Sequence, residues 1–172
     1  MALKKAMVLV AGVALAATLA FAVGTARATS GIDYSLSGSY FPTQECTVDA
    51  LTCTDTYDYA ASGSCEQGCT GFPSGADVTI SVSGQTAKTY PPSPCISKSV
   101  SGTFSITWSD ATTSIGTLSG HTHDGKAYAL SGTISGGAYM GGSISTLVYF
   151  PPSPCLIDSF AGGLTLYPPN PA

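Results

Sequence analysis

Positive charge is scarce in this chain. Beyond Arg27 there is no arginine, and Lys88, Lys98 and Lys126 face ten acidic residues, a balance of three minus ten, or −7, over residues 29–172. Clustered Lys and Arg supply most of the affinity for phosphate backbones through counterion release, so nucleic acid is excluded as a partner. The same shortage argues against attraction to anionic membranes. Histidine is almost missing, with only His121 and His123 present. No Gly-x-Ser-x-Gly elbow, phosphate loop or dinucleotide fingerprint occurs. After Ala28 no segment carries apolar residues at helical spacing. Together these gaps remove most common catalytic sets, leaving open only paired carboxylates for glycoside cleavage, whose separation in space the sequence does not give, and no cofactor is expected.

What the chain does have begins with an export signal. Lys4 and Lys5 precede an apolar run from Ala6 to Val23, and Ala26-Arg27-Ala28 offers the small residues that signal peptidase reads. Residues 1–28 are expected to be removed, leaving residues 29–172 as a single secreted domain, extracellular or periplasmic, with no membrane segment. That length suffices for one domain with its own core.

All six cysteines, Cys46, Cys53, Cys65, Cys69, Cys95 and Cys155, lie in the exported part. An even number in an oxidising compartment predicts three disulfides. Either two bridges close between Cys46 and Cys69 while Cys95 joins Cys155, or one closes there and Cys95 and Cys155 both reach back; the first is favoured. A zinc cluster is disfavoured, because only Cys65 and Cys69 are as close as zinc ligand pairs require.

Alternation of apolar with Ser, Thr and Gly predicts an all-β domain of seven or eight short strands near 32–40, 77–84, 85–90, 99–109, 114–122, 126–135, 138–150 and 160–167. The regular turns fit an antiparallel sandwich or a closed barrel. A recurring apolar-Ser-Gly triplet, as at Val82-Ser-Gly84, Val100-Ser-Gly102 and Leu118-Ser-Gly120, suggests strongly curved strands or merely low-complexity drift. The Cys-rich stretch 46–76 shows no sustained alternation and is expected to be a long, bridged loop excursion. An outer-membrane barrel is disfavoured, since such strands need longer lipid-facing segments with aromatic girdles.

The most distinctive motif is Tyr90-Pro-Pro-Ser-Pro-Cys95, which returns sixty residues later as Phe150-Pro-Pro-Ser-Pro-Cys155. The likeness continues with Val100/Phe160, Gly102/Gly162, Phe104/Leu164 and Ile106/Leu166 in register, so an internal repeat of about 60 residues is expected.

Three constellations are candidates for function. His121 and His123 in Gly120-His-Thr-His-Asp-Gly-Lys126 share one face of a strand and, with Asp124, offer a partial zinc or copper site; Asp124-Gly125 equally marks a hairpin tip. The His-x-His pair resembles the opening of the cupin metal motif, whose carboxylate and later histidine are missing here. Tyr57 and Tyr59, beside Asp55 and Asp58, are expected to be exposed contact residues. Tyr90 and Phe150 flank the proline corners, stiff surfaces of the kind an enzyme inhibitor presents. The sequence therefore points to a secreted, non-enzymatic binding or structural module whose partner is an extracellular protein or glycan. A metal-binding protein or metal-dependent enzyme, and an inhibitor of an extracellular enzyme, are the alternatives.

Overall fold

The structure is a computed structural model and describes residues 31–47, 51–87, 97–123, 127–149 and 158–170. Eight antiparallel strands follow one another around a closed barrel: β1 (Ile32–Cys46), β2 (Thr52–Gln67), β3 (Gly75–Ala87), β4 (Ser99–Trp108), β5 (Thr113–His123), β6 (Ala127–Gly137), β7 (Ser143–Tyr149) and β8 (Asp158–Tyr167). Each strand pairs with the next, and β8 closes on β1, as in Leu166 opposite Ile32.

The register fixes the barrel's dimensions. Starting at Pro42 and stepping to the hydrogen-bonded partner on each successive strand leads through Tyr57, Val82, Gly102, Leu118, Gly132, Ile144 and Leu166. From Leu166 the path re-enters β1 at Ile32, a displacement of ten residues from its start. Such a shear tilts eight strands strongly and leaves an interior just wide enough for side chains to fill it.

Alternation decides what fills it. Val78, Ile80 and Val82 on β3, Phe104, Ile106 and Trp108 on β4, and Leu164 and Leu166 on β8 point inward and belong to one continuous core. The intervening Ser and Thr residues face outward. This is the reverse of an outer-membrane barrel, whose outer band must be apolar.

Glycine makes the curvature possible. A Cβ at Gly102 would collide with the Ser81 carbonyl oxygen and lie 2.7 Å from Val82 Cα; one at Gly120 would meet the Ala129 carbonyl in the same way. At these inward positions the neighbouring backbone comes too close for any side chain, so the apolar-Ser-Gly triplets reflect coiling rather than compositional drift.

Two sequence expectations need correction. The stretch 46–76 is not a loop excursion, because Thr52–Gln67 forms β2, one of the two longest strands, paired throughout with β1 and β3. Its inward positions, Cys53, Asp55, Tyr57, Tyr59 and Ala61, alternate correctly but include an acid and small residues, which hides the period. Residues 77–84 and 85–90 are not separate strands either. β3 runs unbroken to Ala87, since Gly84 marks a close approach to Ser97 and Ser99 and not a turn.

Cys46 bridges Cys53 across the β1–β2 turn, and Cys65, near the end of β2, bridges Cys69 just beyond it. Cys95 and Cys155 lie outside the described residues, as do the expected signal segment 1–28 and both proline-rich motifs with Tyr90 and Phe150. The strand parts of the expected repeat lie on β4 and β8, four strands apart, where Val100, Phe104, Ile106, Phe160, Leu164 and Leu166 all point inward.

Candidate functional site

Inside, the two ends of the barrel differ. At one end Trp108 packs edge-on against Tyr139, with ring centroids 5.4 Å apart, and against Tyr34. The indole Nε1 donates to Ser114 Oγ at 2.8 Å, and the Tyr34 hydroxyl donates to the Pro73 carbonyl at 3.0 Å. Burial, with smaller contributions from Tyr139 and Asp110, pushes the Tyr34 phenol up to about 12.

The other end holds Tyr40, Tyr57, Tyr59, Tyr128 and Phe160, linked by ring contacts of 5.1–6.2 Å. Burial raises the pKa of all four phenols. The Tyr59 hydroxyl is buried without a hydrogen-bond partner among the described residues. Beside this cluster sits Asp55, 0% exposed. Its Oδ1 accepts from Gln44 Nε2 at 2.7 Å and its Oδ2 from Ser97 Oγ at 2.7 Å. Ser97 is held in turn: its N–H donates to the Tyr57 hydroxyl at 2.8 Å, and its carbonyl accepts from the Tyr128 hydroxyl at 3.0 Å. Gln44 Nε2 also donates to Thr86 Oγ1 at 3.3 Å.

Tyr57 and Tyr59 are therefore core residues and not the exposed contact residues expected from their acidic neighbours. The period-2 geometry puts both rings on the inward face.

His121 and His123 sit near the end of β5, with the His121 side chain exposed on the outer wall between Ser99 and Ala129. Asp124 lies outside the described residues. Among the described residues no group of three metal-ligating side chains converges.

The outer wall carries an arrangement that no single segment reveals. Following hydrogen-bonded partners around the barrel, one outward row reads Thr43, Thr56, Ser83, Ser101, Ser119, Ser131, Ser145 and Thr165, one residue from every strand and a hydroxyl at every step. The next row reads Phe41, Asp58, Ser81, Thr103, Thr117, Thr133, Ser143 and Tyr167. Neighbouring hydroxyls stand about 4.8 Å apart across strands and roughly 6.8 Å apart along them. Over β4–β7 the small side chains leave an open furrow of about 810 Å³, bounded at one end by Tyr167. A smaller hollow of about 300 Å³ continues past Thr103 to Phe41. Both bounding rings are partly solvent-exposed, Phe41 at 40% and Tyr167 at 38%.

Chemically this surface offers many donor-acceptor hydroxyls with little charge. Register, which sequence does not show, aligns them. Comparison with protein-family models, with curated proteins and with solved structures finds no match for this chain.

Proposed function

We propose that the domain acts as a secreted, non-enzymatic binding or structural module that engages a neutral, polyhydroxylated partner, a glycan chain, through the furrow on its outer wall. The all-hydroxyl row from Thr43 to Thr165 carries this reading. The barrel interior is occupied by its own side chains, so a ligand of any size has to be met from outside. Serine and threonine exchange hydrogen bonds with sugar hydroxyls directly or through water and lose little side-chain entropy in doing so. Tyr167 and Phe41 supply flat faces at the ends of the furrow on which a sugar ring can stack. The two disulfides are consistent with an oxidising compartment outside the cytoplasm.

The test is the melting temperature of residues 29–172 scanned with soluble neutral polysaccharides, with metal ions and with chelator. A ligand at about a hundred times its Kd adds roughly 2.7 kcal/mol, several degrees for a domain of this size. A rise with a glycan that disappears in Thr117→Arg, which blocks the middle of the furrow, supports the reading. A rise with metal alone that is lost in His121→Ala replaces it with a metal-binding function. No shift with any of them sinks the glycan reading in favour of a protein partner.

A further inference from the structure

We propose that Thr86 and Gln44 form an intramolecular ester, made by the protein on itself beside the buried carboxylate of Asp55. This goes beyond the binding role and does not depend on it.

The cluster stands where a packed barrel would place apolar groups. Gln44, Asp55 and Thr86 occupy inward positions of β1, β2 and β3, continuing the rows of Tyr40, Tyr57 and Val82. Asp55 is 0% exposed and Thr86 is buried. Burying a carboxylate is costly, and no Lys, Arg or His pairs with this one among the described residues. What it meets instead is the nitrogen of a carboxamide, and that nitrogen faces a threonine hydroxyl 3.3 Å away. A nucleophile, an acyl group with a nitrogen leaving group and an anion placed against that leaving group are thus gathered at one point.

The balance of the step is simple. Thr86 Oγ1 attacks Gln44 Cδ, which is one covalent bond from the nitrogen that it already contacts. The hydroxyl proton passes to Nε2 and the Cδ–Nε2 bond breaks. One ammonia leaves, and an Oγ1–Cδ ester remains. Nothing is oxidised or reduced, and no co-reactant is needed.

Asp55 Oδ1, 2.7 Å from Nε2, stabilises the positive charge that the nitrogen acquires as it takes the proton. Ser97 fixes the other carboxylate oxygen, and Tyr57 and Tyr128 fix Ser97, so the anion is oriented before the reaction begins. Cys53, bridged to Cys46, pairs directly with Thr86, which ties the nucleophile's strand to the stapled β1–β2 hairpin. Thr86 and Asp55 are buried and Gln44 is half-buried, so the product is partly shielded from water. The ester would bind β1 to β3 across β2.

The experiment is the intact mass of the mature, folded protein, reduced before measurement. The expected mass falls short of the sequence mass by one ammonia. A digest cutting at aspartates separates Gln44 from Thr86 in sequence, because Asp55, Asp58 and Asp77 lie between them. The two peptides should nevertheless travel together and part on treatment with hydroxylamine. Thr86→Ser should keep the deficit and Thr86→Val should lose it. In Asp55→Asn, with folding confirmed by circular dichroism, the crosslinked fraction should fall at least tenfold at early times. A folded wild-type protein of full sequence mass overturns the proposal, as does a deficit that persists in Thr86→Val.

Discussion

Raising the pH should unfold this barrel over a narrow range, because five tyrosines are held protonated inside it. Tyr34, Tyr40, Tyr57, Tyr59 and Tyr128 are all buried, and burial raises each phenol above its ordinary value near 10, to about 12 for Tyr34. In the unfolded chain the same phenols ionise from about pH 10. The native state then holds more protons than the unfolded state, so stability falls as pH rises. The stabilisation from keeping these phenols neutral is fully present below pH 10 and is lost progressively toward the native pKa values. At about pH 11 each unfolded tyrosine gains roughly 1.4 kcal/mol from ionising, so Tyr34, Tyr40, Tyr59 and Tyr128, whose phenols are raised furthest, together account for roughly 6 kcal/mol, with a smaller share from Tyr57. That sum is comparable with the whole stability of a typical domain, about 5–15 kcal/mol. Followed together from pH 9 to 12, the far-ultraviolet circular dichroism and the share of phenolate absorbance that these five of the nine tyrosines contribute should change in one cooperative step near pH 11. Gradual phenolate formation at these five positions with an unchanged fold would refute the reasoning.

Other predictions follow from particular contacts. Tyr59→Phe removes a buried hydroxyl that has no partner and should raise the stability measured by urea unfolding by about 1 kcal/mol or more; Tyr128→Phe, which deletes a donor to the Ser97 carbonyl, should lower it by about 1 kcal/mol or more. Gly102→Ala drives a methyl group into the Ser81 carbonyl and should lower the urea midpoint by an amount equivalent to about 2–4 kcal/mol. Replacing Cys46 and Cys53 by serine opens a loop of seven residues' separation and should remove about 2.5 kcal/mol by loop entropy, visible as a lower melting temperature.

The fold class was legible because the outward positions are so uniformly Ser and Thr that alternation survives in most strands. β2 escaped detection for a local reason: Cys53 and Asp55 hold inward positions where a sequence reader expects aliphatic residues. The misreading of Tyr57 and Tyr59 came from the same place. Acidic neighbours suggested solvent, yet Asp55 points inward with the tyrosines, whereas Asp58 points outward. Closure into a barrel depends on Ile32 meeting Leu166, a pairing between the two ends of the domain that short-range pattern cannot foretell. The hydroxyl rows were hidden similarly. Each serine is unremarked in its own strand, and only register across eight strands aligns them.

The meander order has a consequence for how the molecule comes to exist. Seven of its eight strand pairings join neighbours in sequence and form as the chain emerges; the eighth joins the first strand to the last. Until β8 arrives, β1 and the latest strand present bare edges able to pair with another chain. The last strand, Asp158–Tyr167, acts as a latch. A chain stalled during synthesis just short of it, or clipped before Asp158, would keep nearly all of its core residues and still be an open, adhesive sheet.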